Sequence, residues 1–282
     1  MRHRNGNAKS PTRSPGTTRP ASVSVPLTPK QAEIRSREIR ILQQARPMVV
    51  RGGLSGLSME AIAKKMSYAK GTIYNHFSCK EEILLALAIQ ANEIRLRLFE
   101  SAIEGQQRSR DKIAAIGVAC EDFCHRFDDL FGIDAMVRHV TVWEKASEQR
   151  RETLADCEQR CMGLVARIGH EAVATGDLTL PPNRAVEDVV FGLWSLTYGG
   201  SIIEQTSPGL DQIGIQDAFA AIRRNCHALM DGYHWHPLYD DQQDRRLVRR
   251  VRSALKRRVP RSLAEDDLFS ESHLQGRELK HG

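Results

Sequence analysis

Residues 54–84 read Leu-Ser-Gly-Leu-Ser-Met-Glu-Ala-Ile-Ala-Lys-Lys-Met-Ser-Tyr-Ala-Lys-Gly-Thr-Ile-Tyr-Asn-His-Phe-Ser-Cys-Lys-Glu-Glu-Ile-Leu. Ser58 is placed to cap a short helix, Met59 to Met66, in which Ile62, Ala63 and Met66 share one face. A Ser67-Tyr68-Ala69 turn follows, and then a second short helix from Lys70 to Phe77 with Ile73 and Phe77 pointing inward. An amphipathic stretch from Ile34 to Val50 precedes both. Three helices in this order, the last two separated by three residues, predict a helix-turn-helix.

The outward residues of the second short helix suit a nucleic-acid groove. Lys70 and Thr72 stand at its N-terminus, where free backbone N–H groups and the helix dipole attract phosphate. Gly71 has no side chain and lets the backbone come close to base edges. Tyr74, Asn75 and His76 carry groups that hydrogen-bond phosphates or bases, and Lys80 adds a cation after them. With Ser58, these seven residues form the candidate DNA-binding set.

The rest of the chain extends the pattern. Of 282 residues, 41% are hydrophobic and 27% charged, which excludes a collagen-like or wholly disordered chain. The longest apolar run, Ile83 to Ile89, is far short of the ~18 residues of a membrane span, and no apolar segment follows the basic N-terminus as a secretory signal needs. Six cysteines without a dense framework fit a reducing compartment. A cytoplasmic, nucleoid-associated protein is the expectation. Charge is unevenly divided: residues 1–30 carry six cations and no acid, 31–82 are net +4, 83–237 net −7 and 238–282 net +3. A basic end on an acidic body is the asymmetry of a chain whose head meets a polyanion.

Residues 1–30, rich in Pro, Ser and Thr, read as a flexible basic arm. From 31 to 236 helical periodicity runs throughout, so the fold class is all-α. Stripes at Ile83, Leu84, Leu87, Ala91, Ile94 and Leu98, at Ile113, Ile116, Cys120, Phe123 and Phe127, and at Leu154, Cys157, Cys161, Leu164 and Ile168 mark three long helices. After Leu180-Pro181-Pro182, with Asn183 as the expected cap, a helix from Val186 to Ile202 is apolar nearly all round and must be buried on more than one side. Phe219, Ile222, Cys226, Leu229 and Met230 mark the last helix of the body. Residues 237–282 read as a charged tail, mostly disordered, with one basic helix near Arg245 to Arg258.

Ala61-Ile62-Ala63, Ala69 through Phe77 and Lys80-Glu81-Glu82-Ile83-Leu84 together resemble the DNA-binding domain of the TetR/AcrR transcriptional regulators. The likeness is close over about fifty residues and departs at three places. Ser67 replaces a turn glycine and Tyr68 a small apolar residue, Ala69 replaces the usual Ser/Thr cap, and Pro47 sits late in the first helix, where a kink or early end is expected. The resemblance implies a head over 31–79, a body over 80–236 that dimerises and binds a small-molecule effector, and a homodimer on a palindromic double-stranded operator, most simply a repressor. It implies no membrane partner and no cofactor.

Two further expectations concern the body. Phe123, Phe127, Trp143, Phe191, Trp194 and Tyr198 are the candidate lining of a mostly apolar effector pocket. The dimer seam is expected on helices near 185–205 and 213–233, with Gly192, Gly199 and Gly200 permitting close approach. Catalytic motifs are missing: His170-Glu171 lacks the second His of a zinc-protease motif, since position 174 is Ala. Cys120/Cys124 and Cys157/Cys161 each lie on one helical face; packing is the plainer reading and metal or thiol sensing the other, and no metal ligand is assigned. A DNA-binding architectural protein without a pocket is the remaining alternative.

Overall fold

The computed structural model describes residues 28–138 and 140–261. The arm, except for its last three residues, and the tail beyond 261 lie outside the described residues. Among the described residues all regular structure is helical, apart from one isolated bridge between Leu178 and Trp235. The helices are α1 (Pro29–Gly56), α2 (Met59–Lys65), α3 (Lys70–His76), α4 (Lys80–Ile103), α5 (Ser109–Arg126), α6 (Asp128–Val137), α7 (Val140–Lys145), α8 (Glu148–Thr175), α9 (Val186–Thr206), α10 (Ala218–Gly232) and α11 (Asp241–Arg258).

Helix α1 begins at a capping box. Thr28 Oγ1 accepts from the Gln31 N–H at 3.3 Å, and Gln31 Oε1 accepts from the Thr28 N–H at 2.9 Å. Pro47 does not end it; the helical angles fail instead at Gly52 and Gly53, where Gly53 takes φ 58° and ψ −156°. A proline removes one hydrogen bond, whereas Gly53 adopts backbone angles that a side chain would oppose. Leu57 and Met59 then bury themselves and start α2.

Helix α4 runs from the head through the whole body and carries the central apolar surface, with Leu84, Leu87, Ala91, Ile94 and Leu98 at 0% exposure. It packs on α5, α6, α8 and α11. Ion pairs brace α1 and the start of α4 against α6 and α8. Arg46 on α1 grips Asp129 at the start of α6 with a two-pronged contact of 2.6 and 2.8 Å. Glu82 accepts from Arg150 Nε at 2.9 Å and from the Ser147 N–H at the start of α8.

The boundary expected at residue 236 moves outward. Leu247, Val248, Val251 and Leu255 of α11 are buried against α4 and α5, so the charged segment belongs to the body as far as residue 261. Arg126 donates to the Val259 carbonyl at 2.7 Å, fixing the end of that helix. Nor is Asn183 the cap of α9: it sits in a left-handed turn (φ 64°), and Asp188 accepts from the Ala185 N–H instead.

Candidate nucleic-acid interface and interior cavity

In the head, Ser58 Oγ accepts from the Ala61 N–H at 3.2 Å and fixes the start of α2. The chain turns through Met66, Ser67 and Tyr68, with the Tyr68 N–H on the Ala63 carbonyl at 2.9 Å. Ser67 takes the left-handed conformation (φ 54°), so the turn stays tight without its glycine, at a conformational cost. Ala69 occupies the N-cap of α3 and has no side-chain oxygen to offer. Ile73 and Phe77 are buried, each stabilising the head by about 1.5–3 kcal/mol.

The opposite face of α3 gathers Lys70, Gly71, Tyr74 and Asn75, all exposed. A Cβ built on Gly71 meets nothing within 4 Å among the described residues. Packing within the chain therefore does not call for glycine there, although an interior helical glycine costs about 1 kcal/mol relative to alanine. The ammonium of Lys70 pairs with Glu60 and lies 5.8 Å from the Tyr74 ring centroid. That pairing raises the Lys70 pKa and lowers that of Glu60, so the surface holds a cation already aimed across the helix. Thr72 is half-buried beside them.

Two of the expected contact residues are turned elsewhere. The His76 side chain is 8% exposed and faces Glu38 at 3.7 Å, because one turn beyond Ile73 the helix face points back at α1. Lys80 donates to the Leu54 carbonyl at 3.1 Å, tying the start of α4 to the end of α1. Arg40 lies outside the expected set, yet it is exposed and stands 6.0 Å from the Tyr68 ring centroid beside the turn.

The body holds a half-open cavity of about 160 Å³ between α4, α5, α6, α8, α9 and α10. Phe123, Trp194 and Tyr198 line it. Phe127, Trp143 and Phe191 do not. Phe127 is fully buried at the α5–α6 junction, stacked on Phe123 at 5.8 Å. Trp143 on α7 packs half-buried against the core, and Phe191 is 64% exposed on the outside of α9. Helical spacing gave the apolar face of each helix but not which part of that face the neighbours would leave open.

The polar wall was not anticipated. Asp134, at 0% exposure, accepts from Asn92 Nδ2 and Arg95 Nη2, both at 2.9 Å. Arg138 donates to Glu158 at 3.1 Å and to the Tyr198 hydroxyl at 3.0 Å, with its guanidinium 4.8 Å from that ring's centroid. The signal available was Asn92 and Arg95, three residues apart and so on one face of α4. Cys120, Cys124, Cys161 and Cys226 also face the cavity, whereas Cys157 donates to Glu93 at 3.0 Å. Burial pushes Cys124 and Cys161 up to about 11 and Cys226 up to about 12, and raises Cys120 too, so these thiols stay protonated at neutral pH.

Two glycines of α9 stand close to α10. A Cβ on Gly192 would stand 2.8 Å from Leu229, and one on Gly200 2.6 Å from Ile222. Both let α9 pack closely on α10 within the chain, whereas a Cβ on Gly199 meets nothing within 4 Å among the described residues.

A model of the bacterial regulatory proteins of the tetR family matches residues 41–87, from the middle of α1 through α2 and α3 into the first turns of α4. The chain is 28% identical over 169 residues to the HTH-type transcriptional regulator UidR of Escherichia coli strain K12, covering 60% of this chain and 82% of that one. A bacterial regulatory protein in the tetR family from Rhodococcus RHA1 shares the fold at TM-score 0.54 and 15% identity, over 70% of this chain and 96% of its own. The TetR-family regulator PfmR from Thermus thermophilus does so at TM-score 0.51 and 17% identity, over 68% and 97%. Residues 41–87 thus form a tetR-family DNA-binding helix-turn-helix, and the all-α body that follows has the fold of solved TetR-family regulators.

Proposed function

We propose that the protein is a homodimeric repressor that holds a palindromic operator through α3 and releases it when a small molecule fills the body cavity. The observation that carries this reading is the shared helix α4: it starts at the head and walls the cavity with Asn92, Arg95 and Phe99. A ligand that favours one placement of α4 over another changes the spacing of two heads, and only such differential affinity moves the equilibrium. Lys70, Gly71, Tyr74 and Asn75 are the residues proposed to meet DNA, with Ser58 and Thr72 at the edge of the contact. His76 and Lys80 position the recognition helix instead.

One recognition helix covers few base pairs, so two heads on half-sites a turn apart are needed for a specific site. Phe191 on α9, too exposed for an isolated aromatic side chain, is the proposed centre of the dimer seam. The cavity weighs against an architectural protein without an effector.

The test is to select duplexes from a random pool with the purified full chain and to screen small molecules for release of the selected duplex. The expected result is an inverted repeat bound by two chains and freed by at least one compound that also raises the unfolding temperature. Recovery of random sequence alone would refute the reading.

A further inference from the structure

The cavity differs from a plain apolar void in how its charges are arranged. Every arginine and carboxylate in its wall has its counter-charge beside it. Arg95 holds Asp134 at 2.9 Å, Arg138 holds Glu158 at 3.1 Å, Arg223 pairs with Glu121, and His227 faces Asp244 at 3.0 Å. An ionic ligand would surrender its hydration and find each candidate partner already engaged, a cost that a matched charge alone would offset.

The remaining wall is soft. The four protonated thiols of Cys120, Cys124, Cys161 and Cys226 come from α5, α8 and α10, and Met162 and Met230 stand with them. Polarizable sulfur makes favourable contacts with ring edges and faces. Phe123, Phe131 and Trp194 add aromatic surface. A volume near 160 Å³ matches a one-ring guest, since an apolar cavity of about 150 Å³ takes up benzene.

Of the hydroxyl-bearing residues in the wall, Thr197 and Ser201 donate to backbone carbonyls, which leaves Tyr198 as the polar handle. The Tyr198 hydroxyl accepts from Arg138 Nε at 3.0 Å, which leaves its own proton to be donated. Burial raises its pKa, so the group stays a neutral donor.

We infer that the cavity selects an uncharged, single-ring aromatic compound bearing one hydrogen-bonding oxygen, which Tyr198 recognises. The inference rests on the reading of the cavity as a ligand site, and it names the class of ligand that the reading leaves open.

Calorimetric titration of the full chain at neutral pH with five matched probes tests it: 4-ethylphenol, ethylbenzene, 4-ethylcyclohexanol, 4-ethylbenzoate and 4-ethylbenzylammonium. The phenol is expected to bind roughly tenfold or more tightly than either ion, and measurably more tightly than the saturated alcohol. Tyr198→Phe should weaken the phenol about three- to tenfold, the size of one hydrogen bond, and leave ethylbenzene unchanged. Gly117 lines the cavity and has nothing within 4 Å of a built Cβ among the described residues, so Gly117→Leu should fill the space and abolish binding while the helix content is kept. Equal or tighter binding of an ion, an unchanged phenol-to-ethylbenzene ratio in Tyr198→Phe, or no binding by the phenol would each overturn the inference. Release of the selected duplex is measured separately. Phenol binding without release would leave the ligand class standing and sink the repressor reading, whereas release by ionic compounds alone would do the reverse.

Discussion

Ser67 shows how a single residue records both a constraint and a departure from it. The turn between α2 and α3 needs a left-handed residue, and a serine at φ 54° fills the position at a cost a glycine would not bear. Ser67→Gly should therefore raise stability by about 0.5–1 kcal/mol, the cost of the strain less the entropy glycine loses on folding. Chemical denaturation followed by circular dichroism measures it, and a lower midpoint would show that the turn is not strained. Sequence disclosed the turn itself, because caps and turn residues act within a few positions of one another. It did not disclose the orientation of His76 or Lys80. Those side chains are directed by α1, through Glu38 and the Leu54 carbonyl, at separations local spacing does not report.

Helices α4, α5, α8, α9 and α10 were legible from their apolar stripes, because each buries a long face whose period survives in sequence. Helix α6 was not: Leu-Phe-Gly-Ile-Asp-Ala-Met-Val is too short and too uniformly apolar to show a period. Yet α6 joins the two regions, with Asp129 on the head at one end and Asp134 and Arg138 at the cavity near the other. Helix α11 showed its apolar stripe, but a stripe alone does not reveal whether the body offers a groove to receive it. The junction at α6 titrates. Burial would push the Asp129 carboxyl up, but hydrogen bonds and charge from Arg46 outweigh it and hold the pKa below the ordinary value. Its contribution to stability is thus complete above the unfolded value, about 3.9, and is lost as pH falls through the lower folded value. Between neutral pH and about pH 3, Asp129→Asn should show a shallower loss of stability than the parent chain, having already lost the ion pair. Parallel curves for the two proteins would mean that the pair does not couple folding to protonation.

At the scale of the whole molecule, charge divides the chain as its proposed role requires, with cations gathered ahead of and within the head. Residues 1–27 hold Arg2, Arg4, Lys9, Arg13 and Arg19. Their deletion, which keeps the Thr28 cap of α1, should flatten the dependence of log affinity on log salt by about 0.9 for each phosphate they neutralise, with operator preference nearly unchanged. An unaltered slope would show that the arm makes no ionic contact with DNA. The assignment of α3 as the reading helix is tested most directly by fluorescence anisotropy on the selected duplex at fixed salt, comparing the parent chain with Lys70→Ala and Tyr74→Ala. Each variant should lose roughly 1–3 kcal/mol of binding and keep the parent's unfolding temperature, since both side chains are exposed and lie outside the core. Parent affinity in both variants, with the fold intact, would contradict it.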